Sequence, residues 1–125
     1  MASNLISVVD DEESIRRTTK LLLQSFGYQA AVYESARALL NSGQLRDTSC
    51  LILDVQMPEI NGLQLQSMLA SEGCRVPIIF ISAYGSKESR RQAMQAGAIA
   101  FLDKPFSDKQ LLENIRSALI DQNQD

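Results

Sequence analysis

Short apolar runs recur along this chain, and several of them end abruptly in charged or hydroxyl residues. Leu5 to Val9 runs into Asp10 and Asp11, and Leu51 to Leu53 runs into Asp54. Val76 to Ile81 runs into Ser82, and Ile99 to Leu102 runs into Asp103, Lys104 and Pro105. Between the runs, apolar residues recur at helical spacing. The pattern predicts strands near 5–10, 29–33, 50–54, 77–82 and 99–102, and helices near 13–26, 36–42, 62–71, 87–96 and 108–121. Regular alternation of strand and helix argues for βαβ units, that is, an α/β domain with a parallel sheet wound on both faces. The unbroken apolar runs Leu51–Leu53 and Ile78–Ile81 suit strands covered on both sides.

The punctuation agrees with these elements. Gly27 and Gly97 follow helical runs and suit left-handed C-caps. Ser35 is placed to cap the helix from Ala36. Ser107 and Gln110 form a capping-box pattern before Leu111, Leu112, Ile115 and Leu119, which share one helical face and read as core.

Parallel strands bring their C-terminal ends to one edge of the sheet, where open α/β sheets bind ligands. Asp10, Asp11, Asp54, Ser82 and Lys104 then meet there. Clustered carboxylates repel one another and either raise a pKa or hold a cation. An all-oxygen acidic site with few ligands suits Mg²⁺ (or Mn²⁺), which commonly bridges carboxylates to a phosphate oxygen. Lys104 either balances the acidic charge or offers a point charge to a phosphoryl oxygen. Ser82 has a hydroxyl to donate to the same anion. Asp54 is the natural nucleophile, since carboxylates form acyl phosphates. The sum is a phosphoryl-transfer site.

Composition narrows the alternatives. The chain has 125 residues, is 45% hydrophobic and 22% charged, and reads as one globular domain over 1–121 with a polar tail or linker start at 122–125. A net charge of -3 gives no pull toward nucleic acid, and direct nucleic-acid binding is not expected. The pairs Arg16-Arg17 and Arg90-Arg91 read as solvated helix faces. The absence of histidine excludes Ser-His-Asp and Cys-His catalysis and histidine-rich metal sites. Cys50 and Cys74 lack metal-ligand spacing and read as small core residues kept reduced. No apolar run approaches the roughly 20 residues needed to span a bilayer, and the N-terminus lacks a signal-peptide pattern. No membrane partner and a cytoplasmic location are the expectation. The first turn has no G-x-G-x-x-G, its acidic residues would repel a pyrophosphate, and no P-loop is present.

The quoted residues resemble the receiver (CheY-like) domain of bacterial two-component response regulators. The matching segments are Val8-Val9-Asp10-Asp11-Glu12, Leu53-Asp54-Val55-Gln56-Met57-Pro58 with Asn61-Gly62, Ile81-Ser82-Ala83, Gly97-Ala98, and Phe101-Leu102-Asp103-Lys104-Pro105-Phe106. They span essentially the whole chain. The stretch around Asp54 and Glu59 to Gln66 is most similar to the FixJ-type group.

The resemblance implies a flavodoxin-like fold, with a five-stranded sheet in order 2-1-3-4-5 and five helices. It implies that Asp54 accepts phosphate from a histidine kinase or histidine phosphotransfer protein. Asp11, Asp54 and the backbone carbonyl of Gln56 would ligate the metal, with Asp10 assisting through a bound water. Ser82 and Lys104 would contact the phosphoryl group. Ser82 and Phe101 would form the switch; lacking a hydroxyl, Phe101 signals only by burial or exposure of its ring, unless it is a plain core residue. Output would pass through the fourth helix, fifth strand and fifth helix, by homodimerisation on phosphorylation or by partner binding, with Arg90, Arg91 and Gln95 as surface candidates. Gln56 and Tyr84 occupy positions that tune phosphate loss, Tyr84 either shielding the site or being a plain loop aromatic. The Lys104-Pro105 bond is expected to be cis. Lys104 is expected to matter for chemistry and switching more than for folding. Two rivals remain: a haloacid-dehalogenase-type phosphatase, which needs an Asp-x-Asp pattern absent here, and a receiver fold that signals without phosphate.

Overall fold

The computed structural model describes residues 4–123. The last two residues of the expected polar tail, 124 and 125, lie outside the described residues. The strands are β1 (Leu5–Val9), β2 (Gln29–Tyr33), β3 (Thr48–Asp54), β4 (Ile78–Ser82) and β5 (Ala100–Asp103). The helices are α1 (Glu13–Ser25), α2 (Ala36–Ser42), α3 (Gly62–Ser71), α4 (Lys87–Gln95) and α5 (Asp108–Asn123). The five strands are parallel and ordered β2-β1-β3-β4-β5.

Period-two alternation divides the core into two layers. Val9, Leu51, Leu53, Ile78, Phe80 and Phe101 pack on one face with residues of α2, α3 and α4. Ile6, Val8, Ile52, Ile79, Ile81 and Leu102 pack on the other with Leu23 of α1 and Leu111 and Ile115 of α5. Each fully buried side chain of this kind contributes about 1.5–3 kcal/mol. Because β3 and β4 are covered on both faces, every residue from Cys50 to Leu53 and from Ile79 to Ile81 has no exposed surface. Burial also pushes the Cys50 thiol up to about 12, so it stays protonated and unreactive.

Element ends differ from the sequence reading by a residue or two, and one difference is instructive. β3 begins at Thr48, two residues earlier than expected. Thr48 is polar yet buried, and its hydroxyl satisfies itself against Ser7 (2.6 Å) and the Gln44 carbonyl (2.8 Å). A short 3-10 turn, Leu45–Asp47, precedes it and was not expected. Leu112 also departs from expectation, being only half-buried on the flank of α5 while Ala118 takes the core position. The predicted caps form: Ser35 accepts from the Ala38 amide (3.0 Å), and Ser107 and Gln110 bond reciprocally (3.0 and 3.1 Å).

Register aligns the strand ends. Val9 pairs with Leu53, Asp54 with Ile81, and Ser82 with Asp103. The polar residues at those ends therefore share one edge. Gly62 opens α3 directly against this edge, where a Cβ would lie 2.4 Å from the Asp54 carbonyl oxygen. Gly62→Ala should therefore destabilise the protein by about 3 kcal/mol, as overpacking against backbone cannot relax by a rotamer change. Urea unfolding curves would measure it, and an unchanged midpoint would contradict the close packing of α3 on β3.

Candidate functional site

The carboxylates of Asp10, Asp11 and Asp54 each offer an oxygen within 4.8 Å of the others. Asp10 follows β1 and is fully buried, Asp54 closes β3 and is 3% exposed, and Asp11 faces solvent. Asp10 is held in place by its own turn. Its Oδ1 accepts from the Glu12 amide (2.8 Å), its backbone amide donates to Tyr33 (3.1 Å), and Arg16 donates to its carbonyl (2.8 Å). Arg16 therefore braces the acidic turn and is not a purely solvated residue.

Lys104 reaches the cluster from the loop after β5, where its amide donates to the Ser82 carbonyl (2.8 Å). Its side chain is 9% exposed, and its Nζ lies 2.8 Å from Asp10 Oδ2, 3.0 Å from Glu12 Oε1 and 3.6 Å from Asp54 Oδ2. Burial pulls the Lys104 ammonium down, but Asp10, Glu12 and Asp54 outweigh it and hold its pKa above the ordinary value. Lys104-Pro105 is cis. Glu12, not singled out in the sequence as a site residue, belongs to this pairing, and its place in the Asp10-Asp11-Glu12 run is the signal that pointed to it.

Two features fit a divalent cation. Asp10 Oδ2 is buried, and its one polar partner is the Lys104 ammonium at 2.8 Å, which leaves the carboxylate with capacity to accept further. Beside it opens a cleft of about 490 Å³ lined by Asp11, Val55, Gln56, Met57, Pro58 and Asn61. The loop that forms this cleft turns sharply: the Ile60 amide bonds the Pro58 carbonyl (2.9 Å) across Glu59, which sits at φ +66°. Such a tight turn at a non-glycine residue stores strain beside the site. The oxygen-only donor set suits Mg²⁺.

Ser82 and Phe101 are both buried, at 0% and 5% exposure. The Ser82 hydroxyl donates to Gln56 Oε1 (2.8 Å). Phe101 packs on Phe80 with ring centroids 6.1 Å apart. Arg90 is exposed, as the sequence reading has it, but it is not free. Its guanidinium lies 4.7 Å from the Phe101 ring centroid and donates to the Phe101 carbonyl (2.9 Å) and Asp103 Oδ2 (3.1 Å). No spacing in the sequence signals this, because α4 and β5 meet only in the fold. Arg91 does face solvent, paired with Glu88 and Gln95. Tyr84 is a loop aromatic, 84% exposed.

Fold, register and acidic cluster are now in place, and the comparison with known proteins decides the family. Residues 6–116 match the response regulator receiver domain. The chain belongs to that family. It is 44% identical over 117 residues to the response regulator protein TmoT of Ectopseudomonas mendocina, covering 93% of this chain and 53% of that protein. It is 39% identical over 117 residues to the transcriptional regulatory protein TdiR of Thauera aromatica, covering 94% and 52%. The crystal structure of FixJ-N matches with a TM-score of 0.84 at 31% identity over 96% of each chain. The chain spans about half the length of the curated relatives it matches. Among the described residues, no helix of this receiver is long and apolar enough to cross a membrane.

The receiver's acidic edge carries an electrostatic cost. The Asp54 carboxyl is pushed up from 3.8 to about 7, chiefly by burial, with Asp10 and Asp11 adding to the rise and Lys104 and the Gln56 amide opposing it. The unfolded chain releases this proton near 3.8 and the folded chain near 7, so the folded state binds the extra proton between them. Metal-free stability should therefore fall as pH rises from 3.8 to about 7. Asp54→Asn should flatten that slope, and thermal melts across the range would show it; an undiminished slope in the variant would place its origin elsewhere.

Proposed function

We propose that this receiver accepts a phosphoryl group on Asp54 from a histidine kinase or histidine phosphotransfer protein and switches conformation in response. The observation that carries the reading is the Asp10–Asp11–Asp54 cluster with the Lys104 ammonium set into it. Asp10, Asp11, Asp54 and the backbone carbonyl of Gln56 would hold Mg²⁺ (or Mn²⁺). That ion, when bound, supplies positive charge to the oxygens of the transferring group.

The chain's own residues do the rest. An oxygen of Asp54 attacks phosphorus, and the bond from phosphorus to the donor imidazole nitrogen breaks. Lys104 stabilises charge on the transferring group, and the Ser82 hydroxyl donates to a phosphoryl oxygen once it has turned toward it. Positioning and charge stabilisation of this kind supply most of the catalysis in phosphoryl transfer. Burial of Asp54 keeps bulk water from its carboxylate, which favours storage of the acyl phosphate over steady turnover. The phosphatase rival also lacks support in the site, where Asp10 and Asp11 are adjacent. The location that goes with this reading is cytoplasmic.

Output follows from what Ser82 and Phe101 touch. A phosphoryl group that draws Ser82 shifts a pre-existing equilibrium of the β4–α4 loop and Phe101. Arg90 links Phe101 to α4, so the surface of α4, β5 and α5 is where the change is read, by a second copy or by a partner. Arg91 and Gln95 lie exposed on that surface.

Asp54→Asn keeps the side chain's shape and removes its nucleophile. With a small phosphodonor and Mg²⁺, wild type should gain one phosphoryl mass and Asp54→Asn none. Equal labelling of the two would dismiss Asp54 as the acceptor.

Lys104 tests both chemistry and stability, and its 2.8 Å contact with Asp10 supports a larger part in folding than the sequence suggested. Lys104 neutralises the fully buried Asp10, so Lys104→Ala should cost about 3 kcal/mol without metal as well as slowing phosphorylation. Saturating Mg²⁺ should raise the variant's melting temperature more than the wild type's, since one repelling cation is gone. Normal phosphorylation in Lys104→Ala would reduce this residue to charge balance alone.

A further inference from the structure

The Ser82 hydroxyl carries one proton, and that proton is already committed. It is donated to Gln56 Oε1 at 2.8 Å, while Ser82 Oγ accepts from the Tyr84 amide at 3.2 Å. The Gln56 amide closes the ring by donating from Nε2 to the Tyr84 carbonyl at 3.3 Å. The direction of the amide is settled by chemistry: a backbone carbonyl only accepts, so nitrogen must face Tyr84 and oxygen must face Ser82. These bonds tie the end of β3 to the loop between β4 and α4. Packing contributes little there, since Ala83, Tyr84 and Gly85 are exposed. The position of this loop matters to Phe101, because a Cβ at Gly85 would lie 2.6 Å from the Phe101 ring.

We propose that the Gln56 side chain is a latch that holds Ser82 and the β4–α4 loop in the unphosphorylated arrangement, competing with the phosphoryl group for the single Ser82 proton. The proposal rests on the reading of Asp54 as phosphoacceptor and Ser82 as a phosphoryl contact. Donation to a phosphoryl oxygen requires the Ser82–Gln56 bond to break. Gln56 and the Tyr84 carbonyl are then free to bond water, because both lie at the surface. The latch therefore subtracts about one hydrogen bond from phosphoryl-group binding, roughly 2- to 10-fold in an equilibrium constant. Gln56 is a positioning residue: it acts through Ser82 and sets how far the unmodified receiver is biased to its resting state. Its backbone carbonyl, the expected metal ligand, is untouched by side-chain replacement.

The test is a double-mutant cycle with beryllofluoride plus Mg²⁺ as the phosphoryl mimic, read by calorimetry on wild type, Gln56→Met, Ser82→Ala and the double variant. Gln56→Met should bind the mimic roughly 2- to 10-fold tighter than wild type. In the Ser82→Ala background the same replacement should change nothing. Amide exchange at Tyr84 should quicken in ligand-free Gln56→Met. Gln56→Ala must agree with Gln56→Met, which separates loss of the amide from packing of the methionine. Equal affinity in wild type and Gln56→Met, weaker binding in the variant, an equal gain in both backgrounds, or disagreement between the two replacements each overturns the latch. A wild type that takes up no beryllofluoride overturns the phosphoacceptor reading itself, and the latch with it.

Discussion

Lys104 is the charge on which the acidic edge depends. Carboxylates gathered at the ends of β1 and β3 repel one another, and Asp10 and Asp54 have almost no water to screen them. An opposite charge at 4 Å is worth about 4 kcal/mol at the effective dielectric near a protein surface, which is the scale needed to keep such groups together. Lys104 provides it from 2.8 to 3.6 Å, aimed by the backbone bond between its amide and the Ser82 carbonyl. Burial first, and then Asp10 and Asp11, still push the Asp54 carboxyl up against the pull of Lys104. An edge that remains short of positive charge fits the proposal that it takes a cation and a phosphoryl group together.

The rest of the molecule divides into a rigid part and a lightly held part. β3 and β4 are packed on both faces and set the positions of Asp54 and Ser82. α4, in contrast, buries Ala93, leaves Met94 exposed and is otherwise polar. It is held by directed contacts instead: Arg90 to Phe101 and Asp103, and Gln66 of α3 to the Ala93 carbonyl (3.1 Å). Elements with little buried apolar surface open at low cost. Ser82 therefore has a closely packed sheet behind it and a helix held mainly by polar contacts in front.

Much of this was legible in the sequence because it follows from local chemistry. The two-sided apolar runs of β3 and β4, the caps at Ser35 and Ser107, and the polar residues closing each strand depend on residue type and spacing alone. Parallel pairing of such strands brings Asp10, Asp11, Asp54, Ser82 and Lys104 to one edge whatever the details of packing. That these residues meet at one edge could thus be expected from the sequence.

What only the tertiary structure decided concerns partners chosen across elements. Lys104 ties its charge to Asp10 and Glu12 more closely than to Asp54. Arg90 sits on Phe101 although its sequence surroundings look like a solvated helix, and Ser82 gives its proton to Gln56. Leu112 leaves the core while Thr48 enters it because its hydroxyl finds Ser7. Periodicity tells which face of an element is apolar; it does not tell which polar group will lie opposite another. That choice is made by loop conformation and helix docking, where one hydrogen bond outweighs another by about 1 kcal/mol.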